Sequence, residues 1–194
     1  MVMLTIGTGI GGGLIIDGRP YRGSVGAGAE LGHVVIDQDG PPCQGNCPNR
    51  GCVEALASGT ALAREGLAAA EADPASLLGR ALADGREIGG REVVGAAQAG
   101  DRVAIEVLDL IGGRIGVALA SLANALDPDV IVLGGGVMAA GEMLLEPARR
   151  ELRARALPPQ NQVPVKAAAL GEDAGTIGAA TLALEELAGS AAEG

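Results

Sequence analysis

Two hydrophobic rhythms alternate along this chain. Short apolar runs at residues 2–6, 14–16 and 31–36 are bounded by glycine and aspartate and predict three successive strands. A different rhythm begins at Asp101: Leu108, Ile111, Ile115, Leu119, Leu122 and Leu126 follow at spacings of 3, 4, 4, 3 and 4, one face of a long helix. Asp101 is its expected cap, and Asp127-Pro128 its stop, because the residue before proline avoids the helical region. Ser58 is a plausible cap for a helix over residues 59–70, Asp73-Pro74 opens a second that ends near Gly85, and residues 87–99 hold one more. Residues 130–133 read as a central buried strand, 141–156 as a helix, 163–168 as the last strand and 175–187 as the last helix. Residues 188–194 read as a frayed tail.

Composition narrows how these elements pack. The 194 residues suffice for one substantial domain, yet they include one tyrosine and neither phenylalanine nor tryptophan. The core must therefore be alanine, valine, leucine and isoleucine. The 33 glycines have no fixed period and point to tight turns and close backbone approach. Within the predicted long helix, Gly112, Gly113 and Gly116 each cost about 1 kcal/mol against alanine, so a neighbouring element is expected to lie close. A formal net charge of −10, with Lys166 the only lysine, disfavours nucleic acid and anionic membranes. No apolar run is long enough to span a bilayer, and the start MVMLTIGTG lacks a basic signal-peptide region, so the cytoplasm is the expected compartment.

Candidate chemistry is concentrated in residues 29–59. This stretch holds the only histidine, His33, and all three cysteines, Cys43, Cys47 and Cys52, with Glu30 and Glu54 on either side. One imidazole and three thiols are the four ligands of a closed zinc site, and Gly45, Pro48 and Gly51 let the loop fold so that the sulfurs converge. One disulfide with a spare thiol is the alternative. Two glycine-rich turns, at residues 7–13 and 134–136, follow short strands. The first, with the Thr8 hydroxyl, is suited to phosphate oxygens, though a plain hairpin would look the same. The second stands at a strand's carboxyl end, where open α/β sheets bind ligands.

The motifs ELGH followed by C-x3-CPNRGCVE, TIGTGIGGG at residues 5–13, DPDVIVLGGG at 127–136 and AGTIGAA at 174–180 occur in one order over nearly the whole chain. Together they resemble the ROK family, which groups bacterial sugar kinases, glucokinases among them, with sugar-responsive repressors. Many members carry C-x-C where this chain has C-x3-C, a longer loop to the same ligands. The resemblance implies an RNase H-like, actin/hexokinase-type α/β fold: three leading strands, then alternating helices and strands, with residues 59–99 as a helical insertion serving only packing. It implies structural zinc on His33, Cys43, Cys47 and Cys52, a hexose, glucose foremost, on Glu30, His33 and Glu54, and ATP with magnesium against Thr8, Gly9, Gly134, Gly135 and Gly136. It also implies a homodimer.

Two family features are missing from these residues. None of Asn46, Asn49, Asn124 and Asn161 precedes an aspartate, so the Asn-Asp pair that carries the family's catalytic base does not occur; nor does a D-x-G-G-T phosphate loop. The expectation is the C-terminal domain (1–194) of a ROK-type sugar kinase, lacking its N-terminal domain and inactive alone. The alternative is the sugar-sensing part of a ROK-type repressor.

Overall fold

The computed structural model describes residues 1–192, and the side chains among them apart from those of residues 172 and 185–192. The chain forms a five-stranded mixed sheet in the order β3-β2-β1-β4-β5. β1 (Val2–Ile6) pairs antiparallel with β2 (Ile10–Ile16), which pairs antiparallel with β3 (Arg19–Pro20). β1 also runs parallel to β4 (Ile131–Gly134), and β4 to β5 (Val165–Ala167). Val2, Leu4 and Ile6 of β1 and Ile131 and Leu133 of β4 are fully buried, while the alternate residues Met3, Thr5 and Val132 are not. This is the period-two signature of a sheet with one face on the core.

Two expectations about the strands change. β2 starts at Ile10, so Gly11–13 lie inside a strand, and the turn from β1 is only Gly7-Thr8-Gly9. The reason is close approach: a Cβ on Gly12 would lie 2.1 Å from the Ala29 carbonyl oxygen. The third strand is Arg19–Pro20, reached through Asp17 and Gly18, both at positive φ (50° and 75°), the two-residue turn that suits a hairpin's twist. Residues 31–36 are not a strand. Leu31–His33 forms a 3-10 turn, and Gly32 lies so close to Ile10 that a Cβ would come within 2.2 Å of its carbonyl oxygen. Only Val35 of this segment makes a bridge.

The helices follow the periodic reading closely. α1 (Val53–Ala57) precedes α2 (Gly59–Ala72), whose cap Ser58 accepts the Ala61 N–H. α3 (Leu77–Ala83) starts after Ser76, with Asp73-Pro74 in the turn before it. α4 is Gly90–Gln98, and α5 (Arg102–Leu126) is capped by Asp101, whose carboxylate accepts the Ala104 N–H at 2.9 Å. Of the predicted α5 stripe only Leu126 is exposed. α6 (Glu142–Arg155) packs directly on α5: a Cβ on Gly112 would lie 2.5 Å from the Leu144 oxygen, and one on Gly116 2.4 Å from that of Ala148. Gly113 has no such neighbour. α7 (Ala174–Ala192) extends through most of the expected tail, of which residues 193–194 lie outside the described residues. Ile177 and Leu184 on α7 are exposed. Among the described residues no helix is long and apolar enough to cross a membrane.

Candidate functional site

The cysteine loop is built from backbone turns before any metal is considered. Residues 34–53 fold back on themselves through two isolated antiparallel bridges, Val35 with Cys52 and Pro42 with Arg50. The Gly51 N–H donates to the Pro41 oxygen, and the Ile36 N–H to that of Gly51. At Gly51, with φ 59°, a Cβ would fall 1.6 Å from the Asp37 oxygen, so no other residue fits. This fold brings His33, Cys43, Cys47 and Cys52 together, with their donor atoms all within 4.8 Å of one another.

The geometry fits a tetrahedral metal ion. His33 Nδ1 lies 3.4 Å from Cys43 Sγ, and Cys47 Sγ lies 3.9 Å from Cys52 Sγ. That separation matches the edge of a tetrahedron with metal–sulfur bonds of about 2.3 Å, roughly 3.8 Å. All three cysteines are free thiols. Burial pushes the fully buried Cys52 up to about 12, helped by its hydrogen-bonded neighbours Cys43 and Cys47. Burial also raises Cys43, whereas the Asn49 backbone lowers Cys47. The cluster without metal therefore holds protons that a cation would displace.

Around the cluster, His33 turns its other ring nitrogen outward. Nε2 lies 3.9 Å from an oxygen of the exposed Glu30. A cavity of about 540 Å³ is lined by His33, residues 44–48 and Glu54. The two carboxylates differ: Glu30 stands in solvent, whereas Glu54 Oε2 accepts the Ile10 N–H at 2.7 Å, leaving Oε1 4.0 Å from Cys43 Sγ.

A second cleft, of about 860 Å³, opens beside the β1–β2 turn. Gly7 and Thr8 line it, as do Gly59 and Thr60 at the start of α2, Arg91, Val94 and Gln98 on α4, and Gly136, Val137 and Ala139 after β4. The starts of α2 and α4 both line it; at α2 the Gly59 and Ala61 N–H groups are taken by the Gly7 oxygen and the Ser58 hydroxyl, so what suits an anion there is chiefly the favourable ends of the two helix dipoles. Gln98 reaches across to donate to the Ala139 oxygen at 3.2 Å. Of the residues expected at this cleft, Thr8 and Gly136 line it. Gly9 does not: a Cβ there would lie 2.4 Å from Glu54 Oε2. Gly134 is the last residue of β4, between Met3 and Ala168, and Gly135 (φ 92°) would collide with Ile6 if it carried a Cβ. These three glycines serve close packing around the cleft.

The sequence reading missed most of the cleft lining. It treats residues 59–99 as packing, yet Gly59, Thr60, Arg91, Val94 and Gln98 come from that region. The signal was a cation in the first turn of a short helix in an acidic chain.

Comparison with known proteins gives a consistent result. The glucokinase of Halalkalibacterium halodurans is 39% identical over 188 residues, covering 96% of this chain and 56% of that protein. A ROK family glucokinase from Streptomyces griseus, solved in complex with glucose and AMPPNP, superposes with a TM-score of 0.83 at 40% identity, covering 93% of this chain and 59% of that one. A ROK family transcriptional regulator, a homologue of the E. coli MLC protein, gives a TM-score of 0.75 at 32% identity, covering 86% of this chain and 41% of that one. The chain thus spans little more than half the length of the glucokinases it matches. The fold is the actin/hexokinase-like ATPase fold of these neighbours. The ROK family model matches residues 1–186, and with the cysteine–histidine loop and the glycine turns in that frame, the chain belongs to the ROK family.

Proposed function

We propose that residues 1–194 form the larger, C-terminal domain of an ATP-dependent hexose kinase, glucose being the favoured substrate, which acts as a homodimer in the cytoplasm. One observation carries this reading: Glu54, on the wall of the cavity that His33 lines, accepts the Ile10 N–H of the same turn whose Gly7 and Thr8 line the other cavity beside two helix starts. A sugar in the first cavity and nucleotide phosphates in the second would meet at that turn. Carboxylates accept hydrogen bonds from adjacent hydroxyls, which suits Glu54 Oε1 and Glu30, and His33 Nε2 faces the same side. Arg91 and the dipole ends of α2 and α4 suit the phosphates of MgATP.

His33 Nδ1 and the three thiolates would hold zinc. With four protein ligands it has no open position and serves to orient the loop and the imidazole. These residues contain no Asn-Asp pair to supply a base. A positioned base contributes typically 10²–10⁴-fold, so this chain alone is expected to bind without phosphorylating.

The similarity to a ROK regulator favours a second reading, the sugar-sensing part of a repressor. The deciding measurement is ATP-dependent phosphorylation of glucose, mannose, fructose and N-acetylmannosamine by the complete gene product and by the 194-residue chain. Sugar binding without phosphate transfer by the complete protein overturns the kinase reading.

A further inference from the structure

Glu54 is placed between the two halves of the site. It follows the cluster residue Cys52 by two positions, and its Oε2 takes the Ile10 N–H at 2.7 Å. A Cβ on Gly9 would lie 2.4 Å from that oxygen, so a side chain there would displace the carboxylate from the Ile10 N–H. A second tie reaches the other side of the same turn. Gln44, between Cys43 and Cys47, donates to the Ser58 hydroxyl at 3.3 Å. Ser58 caps α2, where the Gly59 N–H donates to the Gly7 oxygen at 2.7 Å and the Thr60 hydroxyl to the Thr8 oxygen at 2.9 Å.

We propose that Glu54 is a positioning residue that makes the glycine turn of the nucleotide cleft depend on the state of the cysteine–histidine cluster, so that metal loss loosens the turn and weakens nucleotide binding. The nucleotide part of this inference rests on the function proposed above; the tie itself does not. The cause is local. Cys52 is the cap residue of the five-residue α1, so a cluster that no longer holds Cys52 in place frees the start of that helix and, with it, Glu54. A hydrogen bond to a charged acceptor is about twice as strong as a neutral one, so its loss exposes the Ile10 amide and lets the turn wander. Glu54 also lines the sugar cavity, and its Oε1 lies 4.0 Å from Cys43 Sγ, so its two oxygens face the turn and the cluster respectively.

The test is hydrogen exchange of residues 7–10 in the 194-residue chain, zinc-loaded and chelated, with far-UV circular dichroism on the same samples. Chelation is expected to speed Ile10 exchange about tenfold in the wild type while the helical signal is retained. Glu54→Gln, which keeps an acceptor, preserves much of the protection in the loaded form. Glu54→Ala exchanges fast even when loaded, and chelation then adds less than about twofold. MgATP affinity falls about fivefold on chelation in the wild type. Unchanged Ile10 exchange after zinc is lost, or global unfolding on chelation, overturns the proposal. If exchange responds but neither form takes MgATP, the tie stands and the nucleotide reading fails. If Glu54→Ala does not fold, Glu54→Gln and Gln44→Ala against the chelated wild type decide the matter: loaded Gln44→Ala is expected to exchange faster at residues 7–8, and no change overturns the proposal.

Discussion

His33 Nδ1 stands 3.4 Å from Cys43 Sγ while its Nε2 faces Glu30 at 3.9 Å. One ring thus joins the thiol cluster to the neighbouring cavity. Metal uptake must displace protons from Cys52, held up to about 12 by burial, and from Cys43, also raised by burial. If the cluster holds zinc as proposed, its affinity should rise with pH, by about two decades per unit below neutrality if two protons leave. Chelator competition at pH 6, 7 and 8 measures this slope; a flat profile would mean the thiols are already ionised.

The same thiols set the alkaline stability of the metal-free chain. A thiol raised above its unfolded value of about 8.5 adds stability below that pH and loses it as pH rises through the folded value. For Cys52 the loss therefore begins near pH 8.5 and continues toward about 12. The melting temperature of the metal-free chain should fall between pH 8 and 10, and that of the zinc-loaded chain much less. Cys52→Ser should remove the metal and flatten the difference.

Gly112 and Gly113 are neighbours in α5 with opposite expected responses to alanine. A Cβ at Gly112 would meet the Leu144 oxygen at 2.5 Å, so Gly112→Ala should cost about 1–3 kcal/mol through displacement of α6. At Gly113 the nearest atom is Glu151 Cγ at 3.7 Å, ordinary contact, so Gly113→Ala should stabilise by about 1 kcal/mol. Urea midpoints of the two variants check the pair.

Arg114 on α5 donates to the Leu56 oxygen at 3.0 Å and to Glu65 Oε1 at 2.9 Å, joining α1 and α2 to the long helix. Burial pushes the Glu65 carboxyl up, but hydrogen bonds from Arg114 and Arg64 outweigh it and hold it below the usual range. A depressed carboxyl contributes stability above its unfolded value near 4.3 and loses it as pH falls through the folded value. Arg114→Met should cost about 1–3 kcal/mol at neutral pH, and its penalty should shrink below pH 4. Thermal melts from pH 3 to 7 give both quantities.

Among the described residues, Arg91 is the one charged side chain on the wall of the larger cleft. Arg91→Ala should weaken MgATP binding about fivefold, the worth of one partly exposed charge-assisted contact, with zinc content unchanged. Isothermal titration together with elemental analysis separates this from loss of fold; equal affinity would remove Arg91 from the site.

Much of this molecule was legible in its residues. The leucine–isoleucine spacing of 101–126 announced α5, because period 3.6 leaves one face to bury. The lone histidine and three cysteines announced their own cluster, since few other side chains offer soft donors. The strand expected at residues 31–36 was not legible as a turn. Its apolar run has the look of a strand, but its backbone is held against Ile10 in a 3-10 turn that brings His33 to the cysteines.

The residues alone determined which chemistry is present and the order of the elements, for hydrophobic period, caps and donor types are properties of neighbours in the chain. Tertiary structure decided what each glycine and carboxylate does. Gly9 and Gly135 read as ligand-facing turn residues, yet one makes room for Glu54 and the other for Ile6. Glu54 reads as a sugar contact, yet one oxygen is committed to Ile10. A glycine records only that something comes close, and a carboxylate only that it accepts hydrogen bonds. Which partner arrives depends on where backbone 44 residues away in sequence is brought by the fold.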